Sequence, residues 1–283
     1  MSFALIDAKK ADVPIEAACE FLNVSVSGYY AWKSREASSR QRRDLVLLAH
    51  IRAEFSTSNG TYGSPRMHAE LNDDGVVVGR HRVARLMREN DLNARQKTRF
   101  KKTTDSDHGG PVAANVLAQD FTAEGPDEKW GVDITYIWTA EGWLYLAIVL
   151  DLFSRKIVGW EISDRMKRGL AMGALRRALV LRNPKAGLIH HSDRGSQYCS
   201  ADYRKILSDR GFVSSMSGRG NCYDNAMVET VFKTLKSDLV WRTAFTSRRQ
   251  ASIAIGQYIE GFYNPRRRHS SLGYASPEVA PVV

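Results

Sequence analysis

The sequence predicts an α/β protein in which a mixed five-stranded sheet is flanked by helices and preceded by small helical domains. Between residues 129 and 239 the hydrophobic pattern alternates between the strand period of about two residues and the helix period of about 3.6. The resulting order, β-β-β-α-β-α-β-α, is typical of a sheet with helices on both faces. Before residue 103 the periodic segments are helical only.

The first helical region, residues 1–58, contains a pattern typical of a helix-turn-helix. Its segment IEAACEFLNVSVSGYYAWKSR predicts a short helix, a turn near Asn23 and a second helix that begins near Ser25. Ser25 or Ser27 has the hydroxyl needed to cap that second helix. The aromatic and basic residues that follow suit DNA contact, but a plain helical hairpin with its aromatic rings in the core would explain them as well.

A second helical domain is predicted over residues 59–102. Its two helices run from about Ser64 to Asn72 and from about Gly79 to Glu89, and the connection DDGVVV contains a glycine that suits a tight reversal. From the start of the second helix to the end of this domain, nine residues are Lys or Arg and two are acidic. Arg82 and Arg85 are therefore candidates for contact with phosphates, and a merely solvated helix face is the alternative.

A polar linker over residues 103–128 leads to the α/β module at residues 129–245, and a basic segment at 246–283 follows. Three runs rich in β-branched and aromatic residues predict an antiparallel meander: KWGVDITYIW, WLYLAIVLDL and KIVGWEIS. A short buried strand, GLIHHSD, and a fifth strand, FVSSM, alternate with the helical patterns MKRGLAMGALRRALVLR and ADYRKILSDRG.

Three acidic residues indicate the chemistry of the module. Asp133 lies in the middle of a predicted strand, where an unpaired carboxylate is costly unless a cation or hydrogen-bond donors compensate it. Asp193 follows the carboxyl end of its strand, which is the usual edge for ligand sites in α/β sheets. Glu229 comes after a further 35 intervening residues.

Glu229 belongs to a helix predicted to begin near Asp224 or Asn225. The apolar arc of this helix comprises Val228, Val231, Phe232, Leu235 and Leu239. Glu229 shares the neighbouring arc with Lys233 and Lys236, so the helix would present an acid flanked by two lysines to a phosphate backbone. A surface salt bridge between Glu229 and Lys233 is the alternative.

Two divalent cations that bridge a phosphate need several carboxylate oxygens at one point, so the three acids predict metal-assisted phosphoryl transfer. The net charge of +10 favours nucleic acid as the partner. No apolar run of about 18 residues indicates a membrane span. Three dispersed cysteines without a CxxC motif argue against a disulfide framework or a cysteine zinc site, and a reducing cytoplasm is expected.

Four motifs in the second half of the chain carry a family resemblance. They are W-x-x-D-I-T-Y at 130–136, H-S-D-x-G-S-Q-Y at 191–198, G-N-C-x-D-N-A-x-x-E-x-x-F-x-x-L-K at 220–236 and YNPRRRHSSLGYASP at 263–277. This pattern resembles the downstream-frame (OrfB-type) transposases of bacterial insertion sequences, whose retroviral-integrase-like catalytic core has a ribonuclease H-like fold. The upstream YGSPRMHAEL is similar to the helical domain that precedes that core.

The resemblance implies that Asp133, Asp193 and Glu229 form an acidic triad that holds two Mg²⁺ or Mn²⁺ ions, with no other cofactor. It implies cleavage at the ends of a mobile element and transfer of the freed 3′ ends into target DNA. The expected partners are the double-stranded DNA of element ends and target, a second copy of the chain on DNA, and an upstream-frame recognition protein supplied by fusion. The expected location is the bacterial cytoplasm, with nucleoid association when DNA is bound.

Further DNA contacts are predicted for basic residues near these motifs. They are Lys233, Lys236, Arg194, Arg266, Arg267 and Arg268. Arg194 has the alternative of shaping its turn, and His191 is balanced between supporting the second acid and plain packing. Two rival functions remain at this point: a ribonuclease H-like metal-dependent nuclease that only hydrolyses, and a non-catalytic DNA-binding regulator whose acids are structural.

Overall fold

The computed structural model describes residues 2–94, 111–219 and 221–279, and the chain divides into two compact units, residues 1–52 and 53–283. The first unit is helical. Its elements are α1 (Ser2–Lys9), α2 (Ile15–Phe21), α3 (Val26–Lys33) and the first part of α4 (Ser39–Thr57), which continues into the second unit.

The predicted helix-turn-helix is present as α2 and α3. Asn23 makes the turn between them with a left-handed backbone (φ 51°), a conformation that asparagine tolerates better than most residues. Ser25 caps α3, since its hydroxyl accepts a hydrogen bond from the backbone N–H of Gly28 at 3.0 Å. Of the two serines predicted as caps, the structure therefore selects Ser25.

The aromatic residues of α3 divide between core and surface. Tyr29 is fully buried and packs with Ile6 of α1 and Cys19 of α2. Tyr30 and Trp32 are exposed to 51% and 37% of their surface. Tyr29 thus holds the hairpin together, as the core interpretation expects, whereas Tyr30 and Trp32 are exposed and their contact with DNA stays a prediction.

The second unit begins with the predicted helical pair, α5 (Ser64–Asp73) and α6 (Arg80–Glu89). Gly75 makes the reversal between the helices with φ +80°, a conformation that glycine adopts without strain. The inward stripe of α6 is the predicted one, and its buried residues are Val83, Leu86 and Met87.

The five predicted strands form one sheet in the order β3-β2-β1-β4-β5. Their bounds are β1 Lys129–Thr139, β2 Gly142–Asp151, β3 Ile157–Ser163, β4 Ile189–Ser192 and β5 Val213–Met216. The first three strands pair antiparallel with one another, and β4 and β5 run parallel to β1. The prediction of a mixed five-stranded sheet is confirmed.

Helices cover both faces of this sheet. They are α7 (Arg168–Arg182), α8 (Ser196–Cys199), α9 (Ala201–Asp209), α10 (Ala226–Asp238) and α11 (Arg248–Tyr258). Alternating side chains of β1 feed two separate hydrophobic cores: Trp130 and Val132 pack with residues of α7 and α9, whereas Ile137 packs with residues of α10 and α11. The sheet therefore forms the layer between the two sets of helices, and β1 contributes side chains to the core on each face.

A glycine allows the close approach of α7 to β3. A Cβ atom built at Gly159 would lie 2.3 Å from the carbonyl oxygen of Ala174 and 2.7 Å from the backbone nitrogen of Ala178. Real Cβ atoms do not come this close to backbone atoms. The contact between helix and strand consequently depends on the absence of a side chain at this position.

The segment predicted separately as 246–283 is an integral part of the core. After α11 the chain continues as a π-helical turn, Ile259–Tyr263, and both Ile255 and Tyr263 are fully buried against β2 and α10 residues. Asn264 then pairs with β3, donating to and accepting from the backbone of Ile157 at 3.0 Å each way. This pairing covers the start of an edge strand.

The segment predicted as a linker packs on the opposite edge of the sheet where it is described. Residues 103–110 lie outside the described residues, but the backbone N–H groups of Val116 and Leu117 each donate to the hydroxyl of Ser215 on β5 at 3.0 Å. Leu117 is 2% exposed. This described part of the segment, residues 111–128, therefore packs against β5.

In the described part of the chain, no helix is both long enough and apolar enough to cross a bilayer.

Candidate active site

Two of the three predicted acids lie side by side on neighbouring parallel strands. Val132 of β1 pairs with Ser192 of β4 in parallel register, and each is followed directly by an aspartate. Asp133 and Asp193 thus occupy adjacent positions where β4 ends and β1 continues. The sequence predicts Asp133 within its strand and Asp193 just past the carboxyl end of its own strand, and both acids occupy these positions.

Local hydrogen bonds fix the orientation of both aspartates. The Oδ1 atom of Asp133 accepts from the backbone N–H of Ile134 at 2.7 Å, and the Oδ1 atom of Asp193 accepts from the N–H of Gly195 at 2.9 Å. A Cβ atom at Gly195 would lie 2.9 Å from that same oxygen. The glycine of the D-x-G motif therefore leaves room for the carboxylate.

Helix α10 brings the third acid to β1. Its side chain Val228 packs so closely on Gly131 that a Cβ there would lie 2.7 Å from the Cγ2 atom of Val228. Asn225, at the start of the helix, donates from Nδ2 to the carbonyl oxygen of Val132 at 3.3 Å. Both contacts are made just before Asp133 in the strand, while Glu229 follows Val228 directly on the first turn of α10.

The three acids share one electrostatic environment. Burial, together with the neighbouring charges of Asp193 and Glu229, raises the pKa of the Asp133 carboxyl well above its ordinary value of 3.8. The N–H of Ile134 and the charge of Lys236 act in the opposite direction. Glu229 is the most exposed of the three acids, and partial desolvation raises its pKa too. A cluster of carboxyl groups whose pKa values are raised in this way suits a hard divalent cation.

The spacing of the triad is wider than a single-ion cage. The nearest oxygens of Asp133, Asp193 and Glu229 do not all lie within 4.8 Å of one another. In a two-metal site the ions are about 3.5–4 Å apart, so no ion needs all three acids at once. The donor set consists of carboxylate oxygens, the ligands that hard divalent cations prefer.

Comparison with known proteins decides the family. An HTH-like domain model matches residues 41–100, and models of the integrase core domain match residues 123–222 and 210–277. "Transposase InsF for insertion sequence IS3A" of Escherichia coli strain K12 is 42% identical over 280 residues, which are 98% of this chain and 97% of that protein. The chain belongs to the insertion-sequence transposases.

A second relative of this transposase is the "Insertion element IS600 uncharacterized 31 kDa protein" of Shigella sonnei, 46% identical over 259 residues, or 92% of this chain and 95% of that protein. Among solved structures, the HTLV-2 integrase catalytic core domain in complex with magnesium covers 55% of this chain and 96% of its own, with 14% identity and a TM-score of 0.43. That likeness is too weak to add to the assignment. The mixed sheet with helices on both faces is the ribonuclease H-like integrase core.

The transposase also buries a tyrosine next to the acids. Tyr198 is 3% exposed, and its hydroxyl has no hydrogen-bond partner among the described residues. Burial raises the pKa of Tyr198 well above its ordinary value, and the charges of Asp133 and Asp193 add to the effect. Tyr198 is therefore a buried residue whose hydroxyl lies within electrostatic reach of the two aspartates.

His191 packs in the core of the transposase rather than reaching toward the acids. Its Nδ1 atom lies 2.9 Å from the hydroxyl of Ser215 and its Nε2 atom lies 3.1 Å from the hydroxyl of Ser217. Burial lowers its pKa to about 4, although the charge of Asp224 opposes this. His191 is consequently neutral near pH 7, and it ties β4 to the chain that leaves β5.

Asp224 is a structural acid that the sequence analysis did not single out. Its carboxylate is 1% exposed and accepts four hydrogen bonds, at 2.7–3.0 Å. The donors are the side chains of Asn115, Gln119 and Asn221 and the backbone N–H of Gly218. Burial raises the pKa of Asp224, but these donors outweigh it and the net shift is downward. Asp224 thus fastens the loop before α10, and only its place in an Asn-rich motif could have signalled this.

The two lysines of α10 lie on the predicted arc. Lys233 is exposed, whereas Lys236 is half-buried with its Nζ atom 5.0 Å from the ring centroid of Tyr136. Burial lowers the pKa of Lys236, and the nearby charge of Asp133 opposes that shift. Lys236 therefore lies within electrostatic reach of the acidic site, and its contact with a DNA phosphate stays a prediction.

Arg194, Arg82 and Arg85 are half-buried and engaged inside the protein. The Nε atom of Arg194 donates to the carbonyl oxygen of Ser217 at 2.8 Å, so this side chain shapes the turn after β4. Arg85 forms an ion pair with Glu89 at 2.8 Å, one helical turn further along α6. Contact of these three arginines with DNA stays a prediction.

Two arginines of the basic cluster at 266–268 have acidic partners inside the protein. Arg267 is 4% exposed, and its Nε atom donates to Asp238 at 2.7 Å inside the core. Arg268 bridges to Glu70 at 2.7 Å and to Asp73 on α5 at 2.5 Å. Both guanidinium groups neutralise acids of the same chain, and their contact with DNA stays a prediction. Arg266 is exposed, and its prediction stands.

Proposed function

We propose that this transposase cuts and joins DNA at a two-metal centre held by Asp133, Asp193 and Glu229. The observation that carries the proposal is the parallel register of Val132 with Ser192, which sets two aspartates side by side beneath the helix of Glu229. Burial, together with the charges of Asp193 and Glu229, raises the pKa of Asp133, so the site favours a cation.

The ions proposed are two Mg²⁺ or two Mn²⁺, since the ligands are hard carboxylate oxygens. When bound, they supply activation of water or of a 3′-hydroxyl and stabilisation of the leaving oxygen at a phosphodiester. The charges of both other acids act on Asp133, since each of them raises its pKa. Asn225 and Gly131 hold the helix of Glu229 against the strand of Asp133.

The proposed DNA partners are the ends of the mobile element and the target duplex. Lys233 and Lys236 extend from α10 beside the acids, where they would meet the phosphates on either side of the reacting one. Tyr30 and Trp32 of the helix-turn-helix, with Arg82, Arg85 and Arg266, are proposed as further DNA contacts. Self-association on DNA and fusion with an upstream-frame recognition protein complete the proposal.

Conservative variants test the triad. Asp133→Asn, Asp193→Asn and Glu229→Gln each preserve shape but remove a charged ligand, so cleavage and joining should fall to background in Mg²⁺ and in Mn²⁺. The substrate is a duplex that carries the inverted repeats flanking the gene, and products are resolved on denaturing gels. Asp209→Asn, which alters an exposed acid paired with Lys205, is the matched control and should retain activity. Wild-type turnover in any triad variant would refute the assignment.

The same gels separate the rival functions. A transposase produces strands longer than the substrate when a freed 3′ end joins target DNA, whereas a ribonuclease H-like nuclease produces only shorter ones. A DNA-binding regulator produces neither, with or without metal. Absence of joined products at every metal concentration, despite cleavage, would favour the nuclease.

A further inference from the structure

An exposed aromatic cluster lies next to the turn of the β1–β2 hairpin. Trp138 is exposed to 59% of its surface and Trp143 to 44%, and Tyr136 is half-buried beside them. Trp138 and Trp143 are cross-strand partners with ring centroids 4.8 Å apart, and the Tyr136 ring lies 5.0 Å from that of Trp143. Both ring pairs are edge-to-face, so the three rings brace one another.

Lys236 connects this aromatic cluster with the acidic site. Tyr136 follows Asp133 by three residues on β1, so the two side chains leave opposite faces of the strand, but Lys236 lies 5.0 Å from the Tyr136 ring centroid and within electrostatic reach of Asp133. Strand β4 pairs with β1 only as far as Val132, so in the described part of the chain no strand flanks this side of β1 beyond that point. A nucleic acid strand that leaves the acids across this edge of β1 would therefore meet Lys236 and Tyr136 first and the two tryptophans next.

Cationic groups border the aromatic cluster on two sides. Lys236 places its Nζ atom 5.0 Å from the Tyr136 ring centroid, at the end nearer the acids. At the hairpin end, the Nε atom of Arg248 donates to the carbonyl oxygen of Trp143 at 3.1 Å. Exposed aromatic surface framed by cations is the arrangement that binds single-stranded nucleic acid, because bases stack on the rings while phosphates meet the charges.

We propose that Tyr136, Trp138 and Trp143 form a stacking platform for an unpaired nucleobase of the DNA strand that occupies the active site. The inference rests on the proposed function, since it takes DNA as the substrate. A base inside a duplex is covered on both faces by its neighbours, so only a base released from pairing next to the cleaved phosphodiester can stack here. The surface of three rings is also far smaller than the roughly 800 Å² that each partner contributes to a stable protein interface.

The proposal predicts a selective loss of single-strand binding. Trp138→Ala and Trp143→Ala should weaken binding to a fluorescein-labelled oligothymidylate by roughly 5- to 150-fold each, the range expected for loss of one stacked base. Binding to a blunt duplex of the same length should change less than about twofold. Trp138→Phe should retain most of the single-strand affinity, because it keeps an aromatic face. Anisotropy titrations in EDTA measure these affinities for the wild type and the three variants without cleavage.

Salt dependence gives an independent readout. Stacking contributes no counterion release, so the slope of log K against log salt should be the same for Trp138→Ala as for the wild type. Lys236→Gln should instead reduce the slope by about 0.7, the value for one phosphate contact on a single strand. Val180→Ala, which removes an 87% exposed apolar side chain on α7, is the matched control and should change neither quantity.

Contact with the base is tested directly by photocrosslinking. An overhang that carries 5-iododeoxyuridine should crosslink to the peptide containing Trp138 and Trp143, and the double alanine variant should lose that crosslink. Alanine variants that bind single strands as the wild type does would overturn the platform. So would an equal loss on duplex, or a loss of self-association in sedimentation with DNA binding intact, which would indicate a protein-binding surface.

Failure of the platform and failure of the proposed function are distinguishable. Binding and crosslinking are measured without divalent metal, so they do not depend on the acidic triad. If Asp133→Asn abolished cleavage while the tryptophan variants bound normally, the triad would stand and the platform would fall. If the tryptophan variants lost single-strand binding while Asp133→Asn still cleaved, the reverse would hold.

Discussion

The side-chain amide of Asn225 donates a hydrogen bond to the carbonyl oxygen of Val132, at 3.3 Å, and so connects the helix of Glu229 to the strand of Asp133. Asn225 is 6% exposed and does not cap its own helix. The bond is made one residue before Asp133, and Gly131 allows the helix to approach at the same place. The relative position of the two acids therefore depends on this contact.

Asn225→Ala should lower the rate of strand cleavage by about 10- to 100-fold, because misplacement of a catalytic group by about 1 Å has costs of that size. The free energy of unfolding should fall by only about 1–3 kcal/mol, the cost of a lost buried hydrogen bond. Cleavage rates and DNA affinity are measured side by side, with the exposed Asn93→Ala as control. An equal loss of DNA affinity would indicate that Asn225 acts on DNA rather than on the helix.

Arg267→Met should destabilise the fold by about 3–5 kcal/mol, since it leaves the buried carboxylate of Asp238 without its cation. Tyr258 also donates to Asp238, at 2.9 Å, but a neutral donor replaces only part of the lost interaction. The double variant Arg267→Met with Asp238→Leu should recover most of the loss. Urea denaturation measures all three proteins. A single variant as stable as the wild type would contradict the structural role assigned to Arg267.

Gly159→Ala should prevent stable packing of α7 on β3, with a loss of several kcal/mol, because the new methyl group would overlap backbone atoms. Gly169→Ala is a matched control in the first turn of α7, where a Cβ meets nothing within 4 Å. That control should be neutral or stabilise the protein by up to about 1 kcal/mol through helix propensity. Thermal unfolding of the two variants separates these outcomes, and equal melting temperatures would contradict the packing described.

The buried imidazole of His190 should make the fold sensitive to acid. Burial lowers its pKa to about 3, and the ring lies 3.0 Å from the hydroxyl of Tyr203. In the unfolded chain its pKa is about 6.5, so below that pH the unfolded state binds a proton that the folded state refuses. Stability should therefore fall with decreasing pH between about 6.5 and 3, by up to about 1.4 kcal/mol per pH unit from this residue.

Urea midpoints at several pH values test that slope. His190→Phe should flatten the pH dependence, whereas His81→Gln, on the exposed surface of α6, should leave it unchanged. Identical slopes in the wild type and His190→Phe would show that other groups account for the acid sensitivity.

The sheet and the two aspartates were predictable because local sequence encodes them. Runs of β-branched residues end at turn residues, and Asp193 closes the short run GLIHHSD, so the strand ends were recognisable. The partners of the arginines were not predictable in this way. Asp238 lies 29 residues before Arg267, and nothing in the local pattern of either residue identifies the other.

Packing of the segment before the sheet was hidden for a related reason. Residues 111–128 look like a linker because they are polar and contain glycine and proline, yet their backbone N–H groups bind a single serine hydroxyl on β5. Backbone hydrogen bonds leave little trace in side-chain pattern. The same holds for the hydroxyl of Tyr62, which donates to the backbone of Arg266 and accepts from that of Arg268.

The bridges from Arg268 to α5 affect how shortened versions of this transposase should be interpreted. Residues near 62–73 and 266–268 lie about two hundred positions apart in the chain, yet they hold each other through Tyr62, Arg66 and Arg268. A fragment that ends before Arg268 would lose the ion pairs that hold α5, and with it the pair of helices α5 and α6, in place. Impaired recognition of DNA by such a fragment would then report an undocked helix, and deletion mapping would wrongly credit the missing tail with reading the DNA.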